Sequence, residues 1–254
     1  MTRHPAPLVL TPADHAVLGA AEFGTPGLVA VESIGPFTRV RACGPLVTVH
    51  DSLIAAGHGI GHHPHRNHER LFYLERGTFD HDDARNGISG HVPEGALARF
   101  TEGRGGMVHQ EWNHGAVDAE IFILVAATDP IPEETSFEVL PREAMPLYPE
   151  TPGVVTREMV GPRSPLPVHC DVRSFTDTTL QPGTALTWRL QDGEGALLSV
   201  REGAVSCAGV DLGRKWTVLL PPALGPREVG LTSAAGARVI RAAFGPGYGL
   251  VTTH

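Results

Sequence analysis

Short runs of β-branched and aromatic residues, each closed off by glycine, proline or an Asn/Asp-rich turn, recur along most of this chain, and that punctuation leaves little room for long helices. LVTVHDSLI, LFYLE, TFDHDD, ALARF, MVHQEW and EIFILVAA fill the first half, and VHCDVRSF, TALTWRL, GALLSV, TVLL and RVIRAAF the second. A spacing of roughly 8–12 residues between such runs signals an all-β sandwich or barrel. The 30 glycines and 22 prolines favour turns and short strands for the same reason. GHGIG and ARNGISG read as turns between strands.

The 254 residues are enough for two domains of about 100–150 residues each. Residues 1–130 form a first β-barrel, with residues 1–35 as a leading arm plus one or two strands. Residues 131–167, with a proline every few positions and many acids, form an ordered but irregular connector. Residues 168–254 form a second barrel of similar size. A weak internal repeat supports duplication: LFYLERGTFDHDD parallels LLSVREGAVSCAG, VPEGALARF parallels KWTVLLPP, and EIFILVAA parallels RVIRAAFG.

The net charge of −8, with no basic run, argues against direct nucleic-acid binding. Cys43, Cys170 and Cys207 lie far apart and form no CxxC, so they read as reduced thiols that act as small buried hydrophobes. With no apolar stretch of about 18 residues and no signal-type start, the chain is expected to be soluble and cytoplasmic, off the membrane.

The chemistry concentrates in histidine. His58, His62, His63, His65 and His68 fall within eleven residues. Side chains alternate along an extended strand, so His63 and His65 share a face, and His109 and Glu111 repeat that spacing downstream. If the two segments are neighbouring strands, three imidazoles and a carboxylate meet at one point. That donor set suits Fe(II), Zn(II), Ni(II), Mn(II) or Cu(II), and an octahedral ion keeps a position for water or substrate. His62 lies out of register with the pair. His81, Asp82 and Asp83 read as solvated residues, Phe72 and Trp112 as core or pocket wall, and Trp188 and Trp216 as core of the second barrel. The glycines at 103, 105 and 106 read as a tight turn before His109. The second half has no His-x-His, and TWRLQ stands roughly where a ligand strand would be, so that barrel is expected to be metal-free and to wall off the pocket.

GIGHHPHRNHERLFYLERGTFDHDD, then GHVPEG, then TEGRGGMVHQEWN resemble the pirin family of bicupins over about residues 45–127. His63, Pro64, His65, Arg66 and Glu69 match the family's HPHRG with its following Glu. Glu75 and Gly77 match the L-E-G strand, Pro93 and Gly95 the P-G-D turn, and Gly103, Gly105, Gly106, His109 and Glu111 the last motif. Asn67 and His68 replace a Gly and an aromatic residue, and Ala96 stands where the family has Asp. The resemblance implies two tandem cupin domains of the jelly-roll β-barrel type, the first holding one metal ion through His63, His65, His109 and Glu111, with Fe(II) favoured. Glu69 is then structural rather than a ligand.

Pirin-like proteins include metal-dependent quercetin dioxygenases. The implied activity is therefore dioxygenation of an aromatic diol or flavonol, with Glu111 as the catalytic carboxylate and a small aromatic substrate as partner. The alternative is a non-catalytic, iron-dependent partner of an enzyme or transcription factor. A sugar-phosphate isomerase is disfavoured because basic residues near the site are few: Arg66, Arg70, Arg99 and Arg104.

Overall fold

The strand His68–Arg76 buries both of its faces, and that explains its nearly continuous apolar run. In the computed structural model, which describes residues 4–253, Phe72 and Leu74 point into the first barrel. Leu71 and Tyr73 point out of it, into a second apolar cluster. Ala119–Ala127 alternates in the same way, with Ile121 and Ile123 inside and Phe122 and Leu124 outside.

The outward faces of these strands pack on Phe175, Leu197, Ile240 and Phe244 of the second half. Two large sheets therefore lie face to face, and each is covered on its far side by a four-stranded sheet. The first large sheet runs Ser136–Leu140, Leu97–Thr101, His68–Arg76, Ala119–Ala127, Leu46–Ile54, Leu28–Ile34, Ala16–Leu18. Its small partner runs Gly59–His65, Met107–Trp112, Phe79–Asp83, Ile88–Val92. The second large sheet runs Leu8–Leu10, Thr217–Leu220, Gly195–Gly203, Ala237–Phe244, Val172–Leu180, Val154–Val160, Leu147–Thr151. Thr184–Leu190, Arg227–Ser233, Val205–Cys207 and Val210–Leu212 cover it. The two halves share one strand order, as the repeated motifs imply. Each fully buried Leu or Phe side chain in these clusters stabilises the fold by roughly 1.5–3 kcal/mol.

The structure corrects the boundaries at 130 and 168. Leu8–Leu10 pairs with Thr217–Leu220 of the second half, while Ser136–Leu140, from the supposed connector, pairs with Leu97–Thr101 of the first. Each is followed by a one-turn 3-10 helix, Pro12–Asp14 or Arg142–Ala144. The two repeats thus exchange their leading strands. Leu250–Thr252 crosses back to pair with Val40–Cys43.

The stretch 131–167 is not irregular: it contributes three strands, Ser136–Leu140, Leu147–Thr151 and Val154–Val160. Its prolines mislead because they fall between the strands, except Pro149, which lies in the edge strand Leu147–Thr151, where a missing N–H costs no ladder bond. GHGIG also ends inside a strand, Gly59–His65, and Ile88 begins another after the Asn86-Gly87 turn. No helix among the described residues is long and apolar enough to cross a membrane.

Candidate metal centre

Gly59–His65 and Met107–Trp112 are antiparallel neighbours in the small sheet, with His63 opposite His109 and His65 opposite Met107. The register slips between His109 and Glu111, so Glu111 lies opposite Ile60. The ring centroids of His63 and His109 are 4.6 Å apart, those of His63 and His65 4.7 Å, and those of His65 and His109 5.1 Å. Donor nitrogens of all three lie within 4.8 Å of one another.

Glu111 joins through a second group that shares His109: donor atoms of His81, His109 and Glu111 also lie within 4.8 Å of one another. The four residues picked out by spacing, together with His81, are therefore arranged as two overlapping triads, with His109 common to both.

His81 was read as solvated, and the structure overturns that. It is buried, with its ring stacked on Phe137 at 4.4 Å and its Nδ1 3.4 Å from His109 Nδ1. The cause is the alternation of Phe79–Asp83, in which Phe79, His81 and Asp83 face inward. The run F-D-H-D-D carries that signal, since an inward Phe79 places His81 beside it. Asp83 is buried too. It accepts hydrogen bonds from Val108 N at 3.0 Å and Asn86 Nδ2 at 2.6 Å, which tie the turn to the strand that bears His109.

The other histidines of the cluster lie elsewhere. His62 points outward and its Nε2 is 3.0 Å from Asp82 Oδ2, and His68 Nδ1 is 3.5 Å from Glu102. Asn67 adopts φ 74°, a left-handed conformation that asparagine tolerates in place of glycine. Gly106 adopts φ 75°, and a Cβ there would lie 2.7 Å from His65 O, so the close approach of the two strands requires glycine.

Glu69 shares a face with Leu71, Tyr73 and Glu75, all directed away from the metal centre. Its carboxylate accepts hydrogen bonds from His169 N at 2.8 Å, Cys170 N at 2.9 Å and Thr101 Oγ1 at 2.9 Å, with Arg99 Nε at 3.7 Å. Tyr73 donates to Asp177 at 2.7 Å, and Glu75 pairs with Arg201 and Arg238. One face of one strand thus carries the polar joint between the halves.

Protonation suits a cation. Burial pushes His63 and His65 down, with the Arg70 guanidinium adding to the effect at His65, and burial takes His81 to about 4. Burial opposes ionisation of Glu111, but His109, His63 and His81 outweigh it and hold the carboxyl at about 2. Neutral imidazoles beside an ionised carboxylate are the forms that ligate metal. His109 Nε2 and His81 Nε2 are buried with no hydrogen-bond partner, while Glu111 Oε1 lies 2.9 Å from His109 Nδ1. Each such atom costs about 1–3 kcal/mol, which a cation would offset. These donors fit a divalent ion.

The same shifts fix a pH dependence. His50, His65 and His81 all have folded-state pKa values below 6.5, so the unfolded chain takes up protons first as the pH falls. Ion-free protein is expected to be most stable above pH 6.5 and to lose stability from there down to about pH 4, where His50 and His81 titrate in the fold. Thermal melts across that range check this, and a flat profile would mean that these rings are solvated.

Above the imidazoles lies a cavity of about 380 Å³, walled by Phe23, Leu28, Ile54, Phe72, Ile121 and Ile123. That is room for a small aromatic molecule. His50, Ser52 and Arg70 also line it. Sequence reading missed His50 as a pocket residue and placed Arg70 only near the site, although alternation from Phe72 places Arg70 inward.

Paired large sheets and a histidine-lined cavity in the first barrel define a bicupin. Solved structures agree on the fold. The YhhW protein of Escherichia coli aligns over 98% of this chain and 100% of its own with a TM-score of 0.79 at 17% identity. A structure titled as bacterial pirin YhhW in complex with nickel(II), also from Escherichia coli, covers 91% of this chain and 99% of its own at TM-score 0.72 and 18% identity.

Residues 20–124 match the Pirin family model. A quercetin 2,3-dioxygenase of Escherichia coli K12 is 36% identical over 73 residues, 29% of this chain and 31% of that one. The matched segments span between 26% and 65% of the curated relatives' own length.

Proposed function

We propose that the first barrel holds one divalent ion, Fe(II) by preference, through His63, His65, His109 and Glu111, and serves as a metal-dependent dioxygenase of an aromatic diol or flavonol. The observation that carries this reading is the set of three imidazoles gathered at an apolar cavity large enough for an aromatic ring. The relative named as a quercetin 2,3-dioxygenase supports the reaction class. A bound redox-active ion supplies Lewis-acid and electron-transfer chemistry.

The chain's own residues supply the rest. Phe72 and Ile121 wall the aromatic body and exclude water. Glu111, ionised and with its Oε1 2.9 Å from His109 Nδ1, accepts the proton of the substrate hydroxyl. The recessed apolar pocket favours a small aromatic partner over a protein one. The three free, buried cysteines fit a reducing, cytoplasmic setting.

The test is oxygen uptake by chains loaded anaerobically with iron, nickel, copper or manganese and given a flavonol or a catechol. Uptake that depends on both ion and substrate is expected. No uptake with any ion overturns the catalytic reading.

A further inference from the structure

The sequence shows few basic residues near the site, yet folding gathers them. A cavity of about 720 Å³ is lined by Arg66, Arg70, Arg85, Arg104, His65 and His68, and no acidic side chain lines it. This is a concentrated positive surface on a chain of net charge −8. His65 and Arg70 also line the apolar cavity over the imidazoles, so the two spaces meet at these two residues.

Arg70 is built into place. Its Nε donates to Glu102 Oε1 at 2.6 Å, and that carboxylate is fully buried and held down by His68 and Arg70 against the cost of burial. Its Nη2 lies 2.7 Å from His65 Nδ1, and its Nη1 has no protein partner among the described residues. A guanidinium fixed on one edge by a buried carboxylate presents its other edge to the cavity, in the fork geometry that matches a carboxylate. The unpartnered Nη1 leaves donors of the guanidinium free for an anionic ligand.

We infer that the substrate of this site is an organic acid: its aromatic body lies in the apolar cavity, its hydroxyl at the metal centre, and its ionised carboxylate on Arg70. This rests on the metal-centre reading above and narrows its substrate class. Arg66, Arg85 and Arg104, exposed around the adjoining space, draw the anion in, while Arg70 binds it. Arg104 is partly neutralised by Glu133 at 2.9 Å, whereas Arg66 and Arg85 have no acidic partner among the described residues.

The test compares salicylate with salicylamide, two ligands of nearly equal shape that differ in charge, by calorimetric titration of nickel-loaded protein. Salicylate is expected to bind about tenfold or more tightly than the amide, the advantage of a charge-assisted forked contact. In Arg70→Met that preference should fall below about twofold, and Arg70→Lys, which keeps the charge beside Glu102 but loses the fork, should fall between. Nickel content measured by elemental analysis should be the same in all three chains, because Arg70 is not a ligand. Equal binding of acid and amide to the unaltered chain, which needs no variant to fold, overturns the inference while the metal reading stands. A preference that survives Arg70→Met also overturns it. A chain that takes up no nickel removes the metal reading and this one with it.

Discussion

Purified without added metal, the protein is expected to carry close to one divalent ion per chain, and His109→Ala to carry a tenth of that or less on an order-of-magnitude scale. His109 is the sharpest position to change because it belongs to both groups of donors. It is buried, and its Nε2 has no other partner to lose. Alanine there removes one donor from each triad at once and leaves Glu111 buried without the imidazole that lies 2.9 Å from it. The single-site variants then locate the ion. His65→Ala removes a member of the first triad only, and His81→Ala a member of the second only. Ion lost in His65→Ala and retained in His81→Ala places it on His63, His65 and His109, whereas the opposite result moves it to His81, His109 and Glu111. Full metal content in His109→Ala, confirmed on folded protein by circular dichroism, would sink the whole assignment.

The second large effect is on stability. Glu69→Ala is expected to destabilise the chain by about 3–5 kcal/mol, or about 6–20 °C in Tm, because it breaks a buried charged pair and strands its donors. The carboxylate satisfies two backbone N–H groups of the second half and one hydroxyl of the first, and it lies beside the buried Arg99 guanidinium. Each abandoned donor costs about 1–3 kcal/mol when water cannot reach it. Glu69→Gln keeps the shape and part of the hydrogen bonding, so it should lose clearly less. Nickel content per folded chain should be unaffected in both variants, since Glu69 faces away from the imidazoles. Lost metal at full stability would mean instead that Glu69 is a ligand.

These two sites show how much was legible beforehand. The two i, i+2 pairs are local facts: once His63-Pro64-His65 and His109-Gln110-Glu111 are extended, alternation alone puts each pair on one face. Glu69 was harder. The family resemblance implied that it is structural, and the physical reason is the phase of its strand, fixed by Leu71 and Tyr73 facing the second half, which turns it away from the imidazoles. The same phase turns Arg70 inward, which no count of basic residues reveals. His81 was misread because its acidic neighbours Asp80, Asp82 and Asp83 suggest water, whereas Asp80 and Asp82 lie on the outer face of a strand whose inner face is buried.

Local periodicity determined what the chain could determine alone: strands instead of helices, a duplicated pattern, and the pairing of histidines along each strand, because side-chain alternation follows directly from the order of residues. Only the tertiary structure decided which half each leading strand completes, that His81 joins the donors, and that four arginines surround one space. Those outcomes depend on contacts between positions far apart in the chain, and such contacts form where burying apolar sheet faces is most favourable, a choice no single run of residues encodes.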